Sequence, residues 1–162
     1  MLDVRFASSL QIVLTLAAAS RNGFEQLSSE TLAAGIGSTA SLTRRLLMPL
    51  ARNGIVHAKL GKFGGIALAK DSSEITLGAI YRAAVGEKPL LAGRTDVPHL
   101  CDVSSRAEKY FALIAHEADA AMIAVLDRRS ISESLDELLT LERTASAIGL
   151  PPRSRRRTKG TV

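Results

Sequence analysis

Six basic side chains, Arg44, Arg45, Arg52, Lys59, Lys62 and Lys70, lie between Glu30 and Asp71 with no acid among them. The chemistry such a set performs is anion recognition. Ser38, Thr39 and Ser41 come just before Arg44 and Arg45. Hydroxyls and helix-start amides can hold a phosphate, and arginine can bond to a guanine edge through two parallel bonds. Farther on, Gly61-Lys62-Phe63-Gly64-Gly65 places one cation and one ring on a flexible tip. Lys59 and Lys62 there suit a phosphate backbone, and Phe63 either packs on a sugar or closes the turn. A glycine-rich tip also suits a nucleotide phosphate, but the spacing and Lys-Ser/Thr ending of a P-loop are absent. Catalysis has little to stand on. His57, His99 and His116 are scattered, no Ser-His-acid or metal-ligand spacing occurs, and Gly35-Ile36-Gly37 is too short for a dinucleotide fold. No enzyme activity, metal or cofactor is expected.

Two arginines alone describe only a solvated helix face; the elements around them decide. Leu32, Ala33 and Ile36 give a short helix over Thr31–Gly35, with Ser29 as its cap. Gly35 and Gly37 end it and allow a tight turn. Ser38 or Thr39 caps a second helix over Ala40–Asn53, with Leu42, Leu46, Leu47 and Leu50 as its core stripe. Pro49 removes a helix hydrogen bond there and predicts a bend or a break near Arg45–Pro49. Gly54 ends the helix, and Ile55–Leu60 and Ile66–Ala69 form a hairpin around the glycine tip. Helix, turn, helix and hairpin in that order are the plan of a winged helix-turn-helix, which offers one helix to a major groove and a loop to the backbone or minor groove.

The flanking segments complete the expectation. Asp3–Ser20 reads as an amphipathic helix on Val4, Ala7, Leu10 or Gln11, Leu14 and Ala17, widened by Ile12, Val13 and Leu16. Thr76 caps a helix whose Leu77, Ile80, Tyr81 and Ala84 face the core, and Gly86 ends it. Val103–Arg128 reads as one helix of about 26 residues, ~39 Å long. It is too long to bury its apolar stripe on a domain this small, so part of it is expected to pack on a second copy and on the first helix. Ala107, Phe111, Ile114, Ala118, Met122 and Val125 are the candidate dimerisation residues. A last short helix, capped by Ser130 or Ser132, runs to Leu141. The expected fold is mainly α with a small β-hairpin. A winged helix-turn-helix domain covers 1–86 and a linker or sensor loop covers 87–102. A long dimerisation helix and a short C-terminal helix fill 103–150, and a disordered basic tail fills 151–162.

With 162 residues, the chain has room for one domain or a small domain plus an accessory element. Aromatics make up only 4% and Trp is absent, so the core must rest on Leu, Ile, Val and Ala. The net charge of +5 misleads if taken whole, because Arg153, Arg155, Arg156, Arg157 and Lys159 account for all of it. Residues 1–100 hold eleven basic and seven acidic side chains, and residues 101–150 hold five and nine. That segregation suits a DNA-binding part followed by a part with another task. No apolar run approaches the roughly 18 residues of a membrane span. Asp3 sits where a signal peptide carries positive charge, so a cytoplasmic protein is expected, with no membrane partner.

With these residues in view, the chain resembles the Rrf2 family of bacterial winged-helix regulators. The resemblance rests on the N-terminal helix, Ser41-Leu42-Thr43-Arg44-Arg45-Leu46-Leu47, Leu50-Ala51-Arg52-Asn53-Gly54-Ile55-Val56, Gly64-Gly65-Ile66-Ala67-Leu68-Ala69 and Glu74-Ile75-Thr76-Leu77. It implies a homodimer joined by the long helix that binds a partly palindromic operator on double-stranded DNA, as a transcription regulator of repressor type. It also implies Ser38–Arg45 as the recognition segment and Lys59–Gly65 as the wing. DNA-contacting candidates are therefore Ser38, Thr39, Ser41, Leu42, Arg44, Arg45, Lys59, Lys62, Phe63, Gly64 and Gly65. The alternative is a winged-helix interaction module that has lost operator reading. Well-known members hold an iron–sulfur cluster on three closely spaced cysteines. Cys101, in His99-Leu100-Cys101-Asp102, is the one cysteine in this chain. One thiolate cannot hold such a cluster within a subunit. Cys101 is left as a redox thiol, as an ordinary packed or solvent-facing cysteine, or as one ligand of a site completed by His99 and Asp102 or by the second subunit.

Overall fold

The computed structural model describes residues 4–59, 64–86, 89, 91 and 101–141. Among the described residues, six helices and one hairpin follow in the order α1 (Arg5–Arg21), α2 (Ser29–Gly35), α3 (Ala40–Arg52), β1 (Val56–Lys59), β2 (Gly65–Leu68), α4 (Leu77–Val85), α5 (Asp102–Asp127) and α6 (Ile131–Leu139). The fold is thus mainly α with a small antiparallel hairpin and a long C-terminal helix.

α1 is the spine on which the other elements pack. It lies against α2, α3, α4, α6 and β2. Its deepest residues are Ser9, Ile12, Val13, Leu16 and Ala17, while Val4 and Ala7 face outward. The buried face is therefore centred on Ile12, Val13 and Leu16, not on the stripe through Val4 and Ala7. Asn22 caps the helix and Gly23 takes a φ of 83° just beyond it, a conformation with little cost for glycine.

Two sequence expectations about α3 are corrected. Leu42 is 47% exposed, and Thr43 is fully buried in its place. Positions 43, 46, 47 and 50 have the i, i+3, i+4, i+7 spacing of a single helix face. The Thr43 hydroxyl is satisfied by donating to the Thr39 carbonyl at 3.0 Å, which removes the penalty of burying it. Of the bend or interruption expected near Arg45–Pro49, the interruption does not occur: α3 runs from Ala40 to Arg52 with Pro49 inside it. Only the one bond from residue 49 to Arg45 is lost, and Leu46, Leu47 and Leu50 hold the helix on the core.

The hairpin pairs Val56 with Leu68 and Lys59 with Gly65. Leu27 adds a third edge through two bonds with Ile66, at 2.8 and 2.9 Å. A Cβ on Gly65 would stand 3.0 Å from the Leu27 carbonyl and 3.1 Å from the Gln26 side chain. Glycine at 65 thus allows this edge to close. Leu60, Gly61, Lys62 and Phe63 lie outside the described residues.

Ile131 and Leu135 of α6 are buried in the same core as α1–α4. Ser130 caps α6, with Glu133 bonding back to its amide at 2.9 Å. Leu77 donates to the Arg129 carbonyl and Ile131 to that of Ile75, at 2.9 and 2.8 Å. α5 behaves differently. Ala115 is the single buried residue along its 26 positions. It packs against α4, whereas the neighbours of α1 are α2, α3, α4, α6 and β2. Within the chain the long helix therefore packs chiefly on α4 rather than on α1. No helix among the described residues is long and apolar enough to cross a membrane.

Candidate nucleic-acid interface

The turn between α2 and α3 is fixed by small polar side chains. Ser28, one residue before the expected cap, accepts from the Thr31 amide at 3.0 Å. Gly37 adopts a φ of 62°, and the Ser38 amide returns to the Ala33 carbonyl at 2.9 Å. Thr39 caps α3 by accepting from the Leu42 amide at 3.3 Å.

Ser41, Leu42, Arg44 and Arg45 are all exposed on the first half of α3. Ser38 is not presented in the same way: its hydroxyl is buried and has no hydrogen-bond partner among the described residues. Thr39 is exposed, but its hydroxyl is used in the cap. Of the wing candidates, Lys59 is exposed, and Gly64 and Gly65 are half-buried. Lys62 and Phe63 lie outside the described residues. A groove of about 550 Å³ separates α3 from the hairpin, with Ser29, Glu30, Arg44, Met48, His57 and Lys59 along its walls.

Sequence reasoning passed over Glu30. Its carboxylate accepts from Arg44 Nη2 at 3.0 Å. Ser29 joins the pair, receiving a long bond from Arg44 Nη2 at 3.4 Å and donating to Glu30 Oε1 at 3.1 Å. The backbone amide of Glu30, then the hydroxyls of Ser29 and Ser28 and the charge of Arg44, hold the Glu30 carboxyl below the usual glutamate range. It is ionised at neutral pH. The acid that precedes the basic stretch thus folds back onto its first arginine.

Cys101 is exposed and stands at the N-cap of α5. Its amide donates to the Ser104 hydroxyl at 2.9 Å. The Ser104 amide, then the Ser104 hydroxyl and the Val103 amide, draw the thiol below its ordinary range. His99 lies outside the described residues. Among the described residues, no three His, Cys, Asp or Glu side chains are grouped to hold a metal ion. With one cysteine per chain, the donor set of a three-cysteine cluster cannot be assembled. On α5, Phe111 and Ile114 are 37% and 38% exposed, Val125 is 56% exposed, and Ala107 is exposed. Ala118 and Met122 are half-buried.

Residues 2–137 match the family model described as an iron-dependent transcriptional regulator, Rrf2. The HTH-type transcriptional regulator NsrR of Geobacillus kaustophilus is 26% identical over 133 residues, covering 82% of this chain and 88% of that protein. Among solved structures, CymR, the global cysteine regulator of B. subtilis, superposes with a TM-score of 0.61 at 21% identity, over 84% of this chain and 96% of that one. IscR of T. potens superposes with a TM-score of 0.60 at 17% identity, over 95% and 93%. These two superpositions establish a shared fold, and the family model extends over most of the sequence. The chain belongs to the Rrf2 family and is a DNA-binding transcriptional regulator, not an enzyme.

Proposed function

We propose that the protein is a homodimeric repressor that reads a partly palindromic operator without an intrachain three-cysteine iron–sulfur cluster. The observation that carries this reading is the exposure of α5. A helix of 26 residues with a single buried position leaves Phe111, Leu113, Ile114 and Val125 in water. Burying one such side chain fully contributes about 1.5–3 kcal/mol, and a second copy supplies the matching surface through two-fold symmetry. Ala107, Phe111, Ile114, Ala118, Met122 and Val125 are the proposed dimer residues.

Two-fold symmetry of the protein calls for two-fold symmetry in the site it reads. Ser41, Leu42, Arg44 and Arg45 are the proposed major-groove readers, with Thr39 and Ser38 shaping the start of their helix. Lys59, Lys62, Phe63, Gly64 and Gly65 are the proposed wing. Residues 1–86 would then read DNA, 87–102 link, 103–150 dimerise, and 151–162 add basic charge. Cys101 is the proposed redox thiol within the linker.

The test combines sedimentation equilibrium of the full chain with a titration of a duplex enriched from a random-sequence library. A dimer that binds one duplex per two chains supports the reading. A monomer, or a protein that enriches no sequence, sinks it. An absorption spectrum of protein purified without air examines the cluster, and charge-transfer bands in the visible would overturn that part.

A further inference from the structure

Glu30 and Arg44 lie fourteen residues apart, on different helices of the DNA-reading unit. Their side chains are 65% and 62% exposed. Water screens such a pair, so it adds little to folding. Its location is more informative than its strength. Arg44 is one of the two arginines on the outward half of α3, and the pair lines the groove between α3 and the hairpin. A carboxylate here opposes phosphate, which is unfavourable on a surface meant to bind any duplex.

The same carboxylate also restrains the arginine. A free arginine on a helix surface samples many rotamers and can settle on any nearby phosphate. Here Nη2 is held by Glu30 and Ser29 together, while the guanidinium fork has five N–H donors in all. The remaining donors belong to a group whose orientation is already limited. Two-bond recognition of a guanine edge depends on that orientation, and restraining a group before binding reduces the ordering cost on contact. Disfavouring phosphate and orienting Arg44 both raise the ratio of sequence-specific to unspecific binding.

We propose that Glu30 is a specificity-determining residue, which orients Arg44 for base reading and weakens binding to unrelated DNA. The proposal rests on Arg44 being a base reader. The test uses the full chain, the enriched duplex, and an unrelated duplex of equal length, each titrated over a range of salt. Glu30→Gln keeps the shape and removes the charge. It is expected to tighten binding to the unrelated duplex and to steepen that salt slope by up to about one. The enriched-to-unrelated ratio should fall by about 5–20-fold. In an Arg44→Ala background, Glu30→Gln should lower the ratio far less than it does in the parent, because only the repulsion of phosphate is left to lose. If Arg44→Ala lowers the ratio and Glu30→Gln alone does not, Glu30 has no such role while Arg44 keeps its own. If Arg44→Ala leaves the ratio unchanged, both assignments fail. Equal melting temperatures for the parent and Glu30→Gln exclude a folding defect as the cause.

Discussion

Arg82 of α4 grips Asp127, the last residue of α5, with both terminal nitrogens, at 2.8 and 2.9 Å. Thr76 donates to the same carboxylate at 3.1 Å while its hydroxyl also caps α4. One carboxylate thereby ties the end of the long helix to the start of α4.

The joint should make stability depend on acid. The bonds from Arg82, then Thr76 and the charge of Arg82, hold the Asp127 carboxyl below the usual aspartate range. A depressed carboxylate contributes stability that is complete above its unfolded value and is lost as pH falls through the folded value. Asp127→Asn should therefore cost about 1 kcal/mol at neutral pH, since the pair is partly exposed. The gap to the parent should close in acid, below the ordinary aspartate range. Melting curves across pH check this, and a gap that stays constant would remove the linkage.

Gly78 should be equally sensitive, for a steric reason. A Cβ built there overlaps the Asp127 carboxylate and sits 3.2 Å from the Asp127 amide. Gly78→Ala is expected to cost about 1–3 kcal/mol by overpacking. In an Asp127→Ala background most of that cost should vanish, because the two changes act on one contact. Additive losses in denaturant titrations would show that the two positions are independent.

The sequence made the order of elements legible, because it is written locally. Caps, glycine stops and apolar spacing all act within a few residues, and Thr39, Thr76, Ser130, Gly54 and Gly86 do what their types suggest. Residue-level errors arose where two helix faces compete. Leu42 and Thr43 are neighbours, and hydrophobicity alone selects the leucine. The Thr43 hydroxyl, bonded to Thr39, is what makes its burial possible. α3 runs through Pro49 without interruption because a core on one side of a helix outweighs one missing bond. Glu30 with Arg44, Gly65 with Leu27, and Arg82 with Asp127 join residues far apart in the chain. No spacing rule announces such pairs. Of the residues proposed to face DNA, Ser41, Leu42, Arg44, Arg45 and Lys59 are exposed, whereas the Ser38 hydroxyl is buried.

On the DNA side, Arg45 and Lys59 should behave differently. Arg45→Ala should lower affinity for the enriched duplex by about ten-fold or more and broaden the bases accepted at one position. Lys59→Ala should weaken all duplexes alike and reduce the salt slope by about one. Lys62→Ala is expected to follow Lys59→Ala. Parallel titrations on enriched and unrelated duplexes separate the two patterns, and unchanged binding in all three variants would discard this interface.

A charge in the middle of the proposed dimer surface should split it. In a dimer built on this face, Ile114→Glu would place one carboxylate from each copy in the interface, where burial of either is costly. Within one chain Ile114 is partly exposed, so the variant should keep its fold and its helical circular dichroism. Sedimentation should then report a monomer, and binding to a palindromic duplex should fall far more than binding to a half-site. A variant that remains dimeric would move the interface away from this face of α5.

Cys101 offers the sharpest prediction about regulation. Hydrogen bonds from the Ser104 amide and hydroxyl and from the Val103 amide favour the thiolate, and the thiolate is the reactive form. Alkylation by iodoacetamide should therefore show a pH midpoint below that of an ordinary cysteine. Ser104→Ala removes one of the three bonds and should move the midpoint upward. Hydrogen peroxide is the simplest oxidant to apply. The thiolate attacks one peroxide oxygen, the O–O bond breaks, hydroxide leaves, and sulfenic acid forms. That product replaces a group held at the start of the long helix with a bulkier neutral one. If this is the signal, peroxide should change operator affinity in the parent and in Ser104→Ala, more slowly in the latter, and leave Cys101→Ser unaffected. Equal peroxide responses in the parent and Cys101→Ser would take Cys101 out of the sensing mechanism, whatever its alkylation midpoint.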